Sequence, residues 1–340
     1  MDKNIEMIGR IGLIPVSIIP CLEAAVPFAG LLRESGIPVI EVTYRSAAAL
    51  AAMRVIKETF PDMLVGAGTV VDHSQIDDAV AAGVDFIVTP GFRRELSVYC
   101  QQREVTHIPG VSTPTELEAA MEMGYRHVKF FPAKPLGGAE TLEMIGSAYP
   151  QMRFITTGGV EMDNLREYSE CPYVLAAGGD FFATFTELLA RNWQTVREKC
   201  ALAVRIAQGF EAACFLPGPG DGIAEHWWAN HFSCTAQSDS DTLNCKLARK
   251  YFPQLYPQTP FGHSAYEQIA RLYLKQTGLT RCMVYAVNSV PRAVEYFTRQ
   301  GMPVDSSSLI TEGPVHGFAL HAPVAGLRLA FVQKRVLGNL

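Results

Sequence analysis

A lysine set inside an apolar run is the first residue of this chain that could do chemistry. Lys129 stands in HVKFFPAKPLGG (127–138), with Val128 before it and Phe130, Phe131 and Pro132 after it. In a strand, side chains alternate, so Lys129 and Phe131 share one face. An ammonium buried there loses hydration, which is expected to lower its pKa from about 10.4. A neutral amine so placed is the nucleophile that condenses with a ketone to an imine. A lysine snorkelling from a strand end to solvent accounts for the same residue without chemistry. Glu41 has a comparable setting in VIEVTYRS (39–46), surrounded by Val39, Ile40 and Val42. Burial is expected to raise its pKa towards working pH, which suits proton transfer. Arg45, at the exit of that run, can clamp a carboxylate through paired hydrogen bonds. A structural ion pair of Glu41 with Arg45 or with Lys129 is the alternative.

Glycine turns supply the third group. TTGG (156–159) and AGG (177–179) end two later apolar runs, while GAGT (66–69) and TPG (89–91) end two earlier ones. Bare backbone N–H groups after late strands of a parallel barrel form an anion cradle. Glycine alone signals only a tight turn.

Eight apolar runs must position these residues: 13–19, 39–43, 63–68, 86–89, 106–109, 127–131, 153–156 and 174–177. They are continuous rather than alternating, as expected when both faces of a parallel strand are buried. Amphipathic stretches such as SAAALAAMRVIKETF (46–60) and 75–82 separate them, with start signals at Asp72 and Thr113. Repeats of roughly 20–25 residues predict a compact (β/α)8 TIM barrel, closed by a last helix over 185–208. Its catalytic groups belong at the strand exits, where all three segments fall.

The chain of 340 residues has room for about two domains. With 48% hydrophobic and 19% charged residues it reads as globular, and a net charge of -5 offers no field for nucleic acid. No run reaches the roughly 20 apolar residues of a spanning helix. MDKNIEMIGR lacks the apolar stretch of a signal peptide, so a cytoplasmic protein is expected. Eight cysteines without C-x-x-C spacing are expected to be reduced packing thiols, not zinc ligands.

FLPGPGDG (215–222) marks a break, giving an N-terminal domain over 1–209, a linker over 210–229 and a second domain over 230–340. A weak βαβββ repeat follows. HFSCTAQSDSDTLNCKLARKYF (231–252) reads as strand, turn and helix, with a β-like run over 265–275. CMVYAVNSVPRAVEYF (282–297) repeats the pattern, with strands at 308–311, 317–321 and 327–333.

The segments VIEVTYRS, VGAGTV, VTPG, HIPGVSTPTE, VKFFPA and TTGGV, in this order, resemble the bacterial 2-keto-3-deoxy-6-phosphogluconate / 4-hydroxy-2-oxoglutarate (KDPG/KHG) aldolases over about 8–205. The resemblance implies a class I aldolase, a homotrimer of barrels that uses no metal or other cofactor and releases pyruvate from a keto acid. It makes Lys129 the Schiff-base residue and Glu41 the general acid/base. Arg45 and Thr69 would hold the pyruvate carboxylate, Pro90 and Phe131 the pocket wall, and Thr157, Gly158, Gly159, Gly178 and Gly179 a distal phosphate. One position departs: Asp180 stands where the family typically has serine. A carboxylate beside a phosphate repels it, so a neutral hydroxylated tail is expected unless Asp180 caps the last helix instead.

The part after 230 is similar to vicinal-oxygen-chelate (glyoxalase-like) modules. His231 fits a first metal-ligand position, but Cys282 or Met283 occupies the second; His321, Glu267 and Glu312 are further candidates. A non-catalytic module is the reading taken. Two other functions stay open: a keto-acid sensor with a non-catalytic barrel, and a metal-dependent C-terminal enzyme.

Overall fold

In a computed structural model, the apolar runs of the first half become strands buried on both faces. They are β1 (Leu13–Ser17), β2 (Val39–Thr43), β3 (Leu64–Gly68), β4 (Phe86–Val88), β5 (Thr106–Ile108), β6 (Gly110–Val111), β7 (His127–Phe130), β8 (Arg153–Thr156) and β9 (Val174–Gly179). The structure describes residues 2–209, 211–216, 267–279, 282–321 and 328–335. It divides into two units, Met1–Ala207 and Gln208–Leu340.

In the first unit every paired strand is parallel, in the order β5-β4-β3-β2-β1-β9-β8-β7-β6. The run expected as one strand over 106–109 is interrupted at Pro109, which has no N–H for the ladder. β5 bonds to β4 and β6 to β7, so the two pieces act as one stave and the ring closes as a (β/α)8 barrel. The Pro109 carbonyl still accepts from the Lys129 N–H at 2.8 Å.

Helix α1 (Lys3–Ile11) buries Ile5, Ile8 and Ile11 and is capped by the Asp2 side chain. Asn4 reaches from it to the Asp85 carbonyl and the Thr106 hydroxyl, just where β4 and β5 begin. The N-terminal end of the barrel is thereby covered, and the strand exits are left for the site. Asp72 and Thr113 cap their helices as the sequence predicts, Thr113 in a capping box with Glu116. The helix expected over 185–208 is instead two, Phe185–Leu189 and Trp193–Gln208. Arg191 takes φ +56, and the N–H groups of Arg191 and Asn192 turn back to the Leu188 and Glu187 carbonyls. That is a Schellman stop, which a sequence without glycine there does not announce.

The second unit contains a five-stranded sheet with the order β10-β11-β14-β13-β12. These strands are Glu211–Leu216, Cys282–Val287, Val304–Ile310, Gly317–Leu320 and Arg328–Gln333, from β10 to β14. β10 lies inside the segment expected as linker and pairs antiparallel with β11, so among the described residues that stretch is the edge strand of the sheet. From Glu267 on, the run 265–275 is not β-like. It falls in helix Glu267–Thr277, whose Ala270, Tyr273 and Leu274 are buried at helical spacing while Arg271, Leu272 and Lys275 are exposed. That helix packs on one face of the sheet with Cys282, Val284 and Ala286, and helix Val290–Arg299 on the other with Met283, Tyr285 and Val287. From Cys282 onward the backbone order is βαβββ, with β11 and β14 parallel. The strand, turn and helix expected over 231–252, with His231, lie outside the described residues.

One buried network ties β4 to β5. His107 is 4% exposed; its Nδ1 is 2.8 Å from the Tyr125 hydroxyl and its Nε2 is 3.2 Å from the Thr89 hydroxyl. Thr89 in turn donates to the Gly91 carbonyl at 2.9 Å. This set fits a neutral imidazole with its proton on Nε2. Burial, and then the charge of His127, pushes the His107 pKa from its ordinary 6.5 down to about 3. Between these values the unfolded chain binds a proton that the folded chain does not, so this group removes stability as pH falls from 6.5 towards 3. Urea unfolding at pH 7 and pH 4.5 is expected to show that loss, and His107→Gln to lessen the difference between the two.

Candidate active site

Strands from around the ring bring the site together. On β2, Glu41 is level with Val16 of β1 and Gly66 of β3; on β7, Lys129 is level with Gly110 of β6 and Ile155 of β8. Both side chains point into the barrel, where the Lys129 Nζ lies 3.1 Å from the Glu41 Oε1. Glu41 is 0% exposed and Lys129 5%. The snorkelling alternative is thus removed, and the structural pair considered for Glu41 is with Lys129, not Arg45. The second carboxylate oxygen, Oε2, is buried with no hydrogen-bond partner among the described residues. A buried acceptor left open in this way is unusual, and a water or substrate proton would satisfy it. Lys129 Nζ also lies 5.4 Å from the centre of the Phe131 ring. That ring is placed by its own main chain, whose carbonyl accepts from the Ser112 hydroxyl at 2.6 Å.

Gly68 makes the arrangement possible. It lies two residues beyond the partner of Glu41, on the same face of β3, and a Cβ there would overlap the Glu41 carboxyl. The next residue, Thr69, has φ +59, a conformation a threonine adopts only under constraint. It is half-buried at the rim, as is Pro90. Arg45 is exposed at the exit of β2 and makes no hydrogen bond or ion pair through its side chain among the described residues. The backbone of Arg45 is fixed by a 2.7 Å bond to the Thr43 carbonyl. Arg45, Thr69 and Pro90 therefore ring the pair without bonding to it.

Opposite them, Gly158 and Gly159 take φ +90 and +80 at the exit of β8. A side chain at Gly158 would strike the Phe131 ring and Pro132. Thr157 is buried, with its methyl against Gly178 of β9. Gly179 and the exposed Asp180 follow. The residues predicted from the sequence thus meet at one end of the barrel. Sequence reasoning gave no role to His107, Ser112 or Thr43, whose hydroxyl donates to the Ser17 carbonyl at 3.1 Å. His107 and Thr43 are buried polar groups inside apolar runs, which is a signal in the sequence; Ser112 is half-buried after β6 and gives none.

An amine held beside a carboxylate can shed its proton to it and attack a carbonyl carbon. Gly68→Ala is expected to displace Glu41 and slow imine formation at Lys129 about a hundredfold. The check is the rate of borohydride-trapped adduct with a small keto acid, with unchanged circular dichroism as control.

Comparisons with known proteins agree with this geometry. Residues 5–199 match the family model for KDPG and KHG aldolase. A 2-dehydro-3-deoxy-phosphogluconate aldolase of Treponema pallidum is 39% identical over 191 residues, 56% of this chain and 91% of that one. The KHG/KDPG aldolase of Escherichia coli is 35% identical over 196 residues, 58% of this chain and 92% of that one. The crystal structure of a KDPG aldolase from Legionella pneumophila, with pyruvate captured as a covalent carbinolamine, is 40% identical. It superposes with a TM-score of 0.57, covering 58% of this chain and 97% of its own. Over its first unit, the chain belongs to the KDPG and KHG aldolase family.

Proposed function

We propose that the barrel is a class I aldolase that cleaves a 2-keto-3-deoxy sugar acid or 4-hydroxy-2-oxoglutarate to pyruvate and an aldehyde. The observation that carries this reading is the buried Lys129–Glu41 pair, 3.1 Å apart, with the second carboxylate oxygen open. Lys129, its proton passed to Glu41, adds to the C2 ketone and forms a carbinolamine. Loss of water, with Glu41 returning a proton to the departing oxygen, leaves an iminium. The C4 hydroxyl then loses its proton, the C3–C4 bond breaks, and its electron pair is taken up by the iminium as an enamine. The aldehyde leaves, C3 is protonated, and one water hydrolyses the second iminium to pyruvate and the free amine. The water released in the first half is matched by the water consumed in the second.

Arg45 and Thr69 are assigned the keto-acid carboxylate. Arg45 has an uncommitted guanidinium at the strand exit, and Thr69 is held there in a fixed, strained turn. Phe131 and Pro90 are assigned the walls. A homotrimer in the cytoplasm belongs to the same reading through the family likeness.

Borohydride reduction in the presence of pyruvate, followed by peptide mass spectrometry, is expected to place the three-carbon adduct on Lys129. Lys129→Ala should abolish both the adduct and pyruvate release. Glu41→Gln should keep the fold and lower kcat by about 10²–10⁴-fold. Reversible pyruvate binding without an adduct would make the barrel a sensor instead.

A further inference from the structure

We propose that Asp180 sets the substrate tail this barrel accepts: the pocket at the exits of β8 and β9 receives a neutral, hydroxylated tail and turns away a phosphate dianion. The proposal rests on the aldolase reading above and names its substrate class. In this barrel class the exits of the seventh and eighth staves are the usual place for a phosphate, held by bare backbone N–H groups and a short helix N-terminus. Here those staves are β8 and β9, paired through Thr156 and Ala177. Their exit turns touch, because the Thr157 methyl lies against Gly178. Ile155 is level with Lys129, so strand alternation puts Thr157 on the interior side with the reacting amine. Thr157 is 3% exposed, and its hydroxyl has no hydrogen-bond partner among the described residues. A buried hydroxyl left without a partner on the interior side of the strand leaves a hydrogen bond to be made there.

The charges at the two turns differ: the Lys134 stem packs against Gly159 after β8, whereas a carboxylate follows the glycine pair after β9. Asp180 follows the Gly178–Gly179 pair directly, is exposed, and forms no hydrogen bond or ion pair among the described residues. It does not cap the next helix, because the Thr184 hydroxyl accepts from the Glu187 N–H and fills that role. Glu161 and Asp163 lie just beyond the β8 turn. Partial desolvation, and next the charges of Asp180 and Asp163, hold the Glu161 carboxyl above its usual range. Lys134 and Lys199 pull the other way without cancelling this, and Lys199 is bound to Glu187 at 2.6 Å. The helices that follow are Leu165–Glu170 and Phe185–Leu189, too short to supply much dipole to an anion. A dianion brought to the β9 turn meets the Asp180 carboxylate and its repulsion, with Lys134 on the β8 side as the opposing charge. A sugar-acid hydroxyl has a proton to donate to Asp180 and a lone pair for Thr157; a phosphate dianion has no such proton.

The test uses the full chain and measures pyruvate release from 2-keto-3-deoxygluconate and from its 6-phosphate at low and high salt. The plain acid is expected to have the higher kcat/KM, by about tenfold or more. Added salt should lower KM for the phosphorylated acid alone, because it screens a repulsion. Asp180→Asn should raise kcat/KM for the phosphorylated acid relative to the plain one by about tenfold. Preference for the phosphorylated acid, unmoved by Asp180→Asn, would overturn the proposal. Pyruvate trapping on Lys129 in the same samples separates the two levels. With trapping present, that result removes the tail assignment and leaves the aldolase; with trapping absent, both fall.

Discussion

A lysine and a glutamate, buried side by side within a parallel barrel, set the conditions for everything around them. Removing two charges from water costs several kcal/mol per ion even after relaxation, and their attraction repays this only when geometry is good. Lys129 and Glu41 are separated by 88 residues and meet across the barrel interior at 3.1 Å. An apolar pair of similar volume at those positions would pack without any such cost. The carboxylate also leaves one oxygen unbonded. That is a poor way to stabilise a fold and a good way to hold an amine ready for reaction.

The surrounding chain is shaped to keep this pair in place. Strand β3 gives up a side chain at Gly68 so that the carboxyl fits. Immediately afterwards Thr69 adopts a positive φ, and across the mouth Gly158 and Gly159 do the same. The Phe131 carbonyl is tied to Ser112, and the Thr89 turn is tied through His107 to Tyr125. Each of these bonds fixes a rim residue from outside the substrate's space, which leaves the side chains facing the cavity free to bind. Such preorganisation is what a reaction dependent on sub-ångström placement requires.

Much of this was legible in the sequence, for a physical reason. Strands buried on both faces must be continuously apolar, so VIEVT and HVKF announce themselves, and a charge inside either one is conspicuous. Alternation then gives the direction of Lys129 relative to Phe131. The sequence left Glu41 with two possible partners, Arg45 and Lys129, because the choice depends on the closure of the barrel rather than on any local pattern. His107 escaped notice because an imidazole with both nitrogens bonded behaves as a core residue. The run over 265–275 misled because ARLYL is compatible with either period. Only the burial of Ala270, Tyr273 and Leu274 together decides for helix. The stop at Arg191 depends on backbone hydrogen bonds that its residue types do not reveal.

The second unit shows the opposite use of buried groups. Successive residues on β11 face opposite sides of the sheet, so Cys282 packs in one core and Met283 in the other. Burial raises the Cys282 thiol to about 11, which keeps it protonated near neutral pH. A polar group buried with its bonds satisfied, or an apolar one in a filled core, holds structure. In the barrel a buried carboxylate oxygen without a bond stands beside a buried amine, and among the described residues that combination at Glu41 and Lys129 is what offers chemistry.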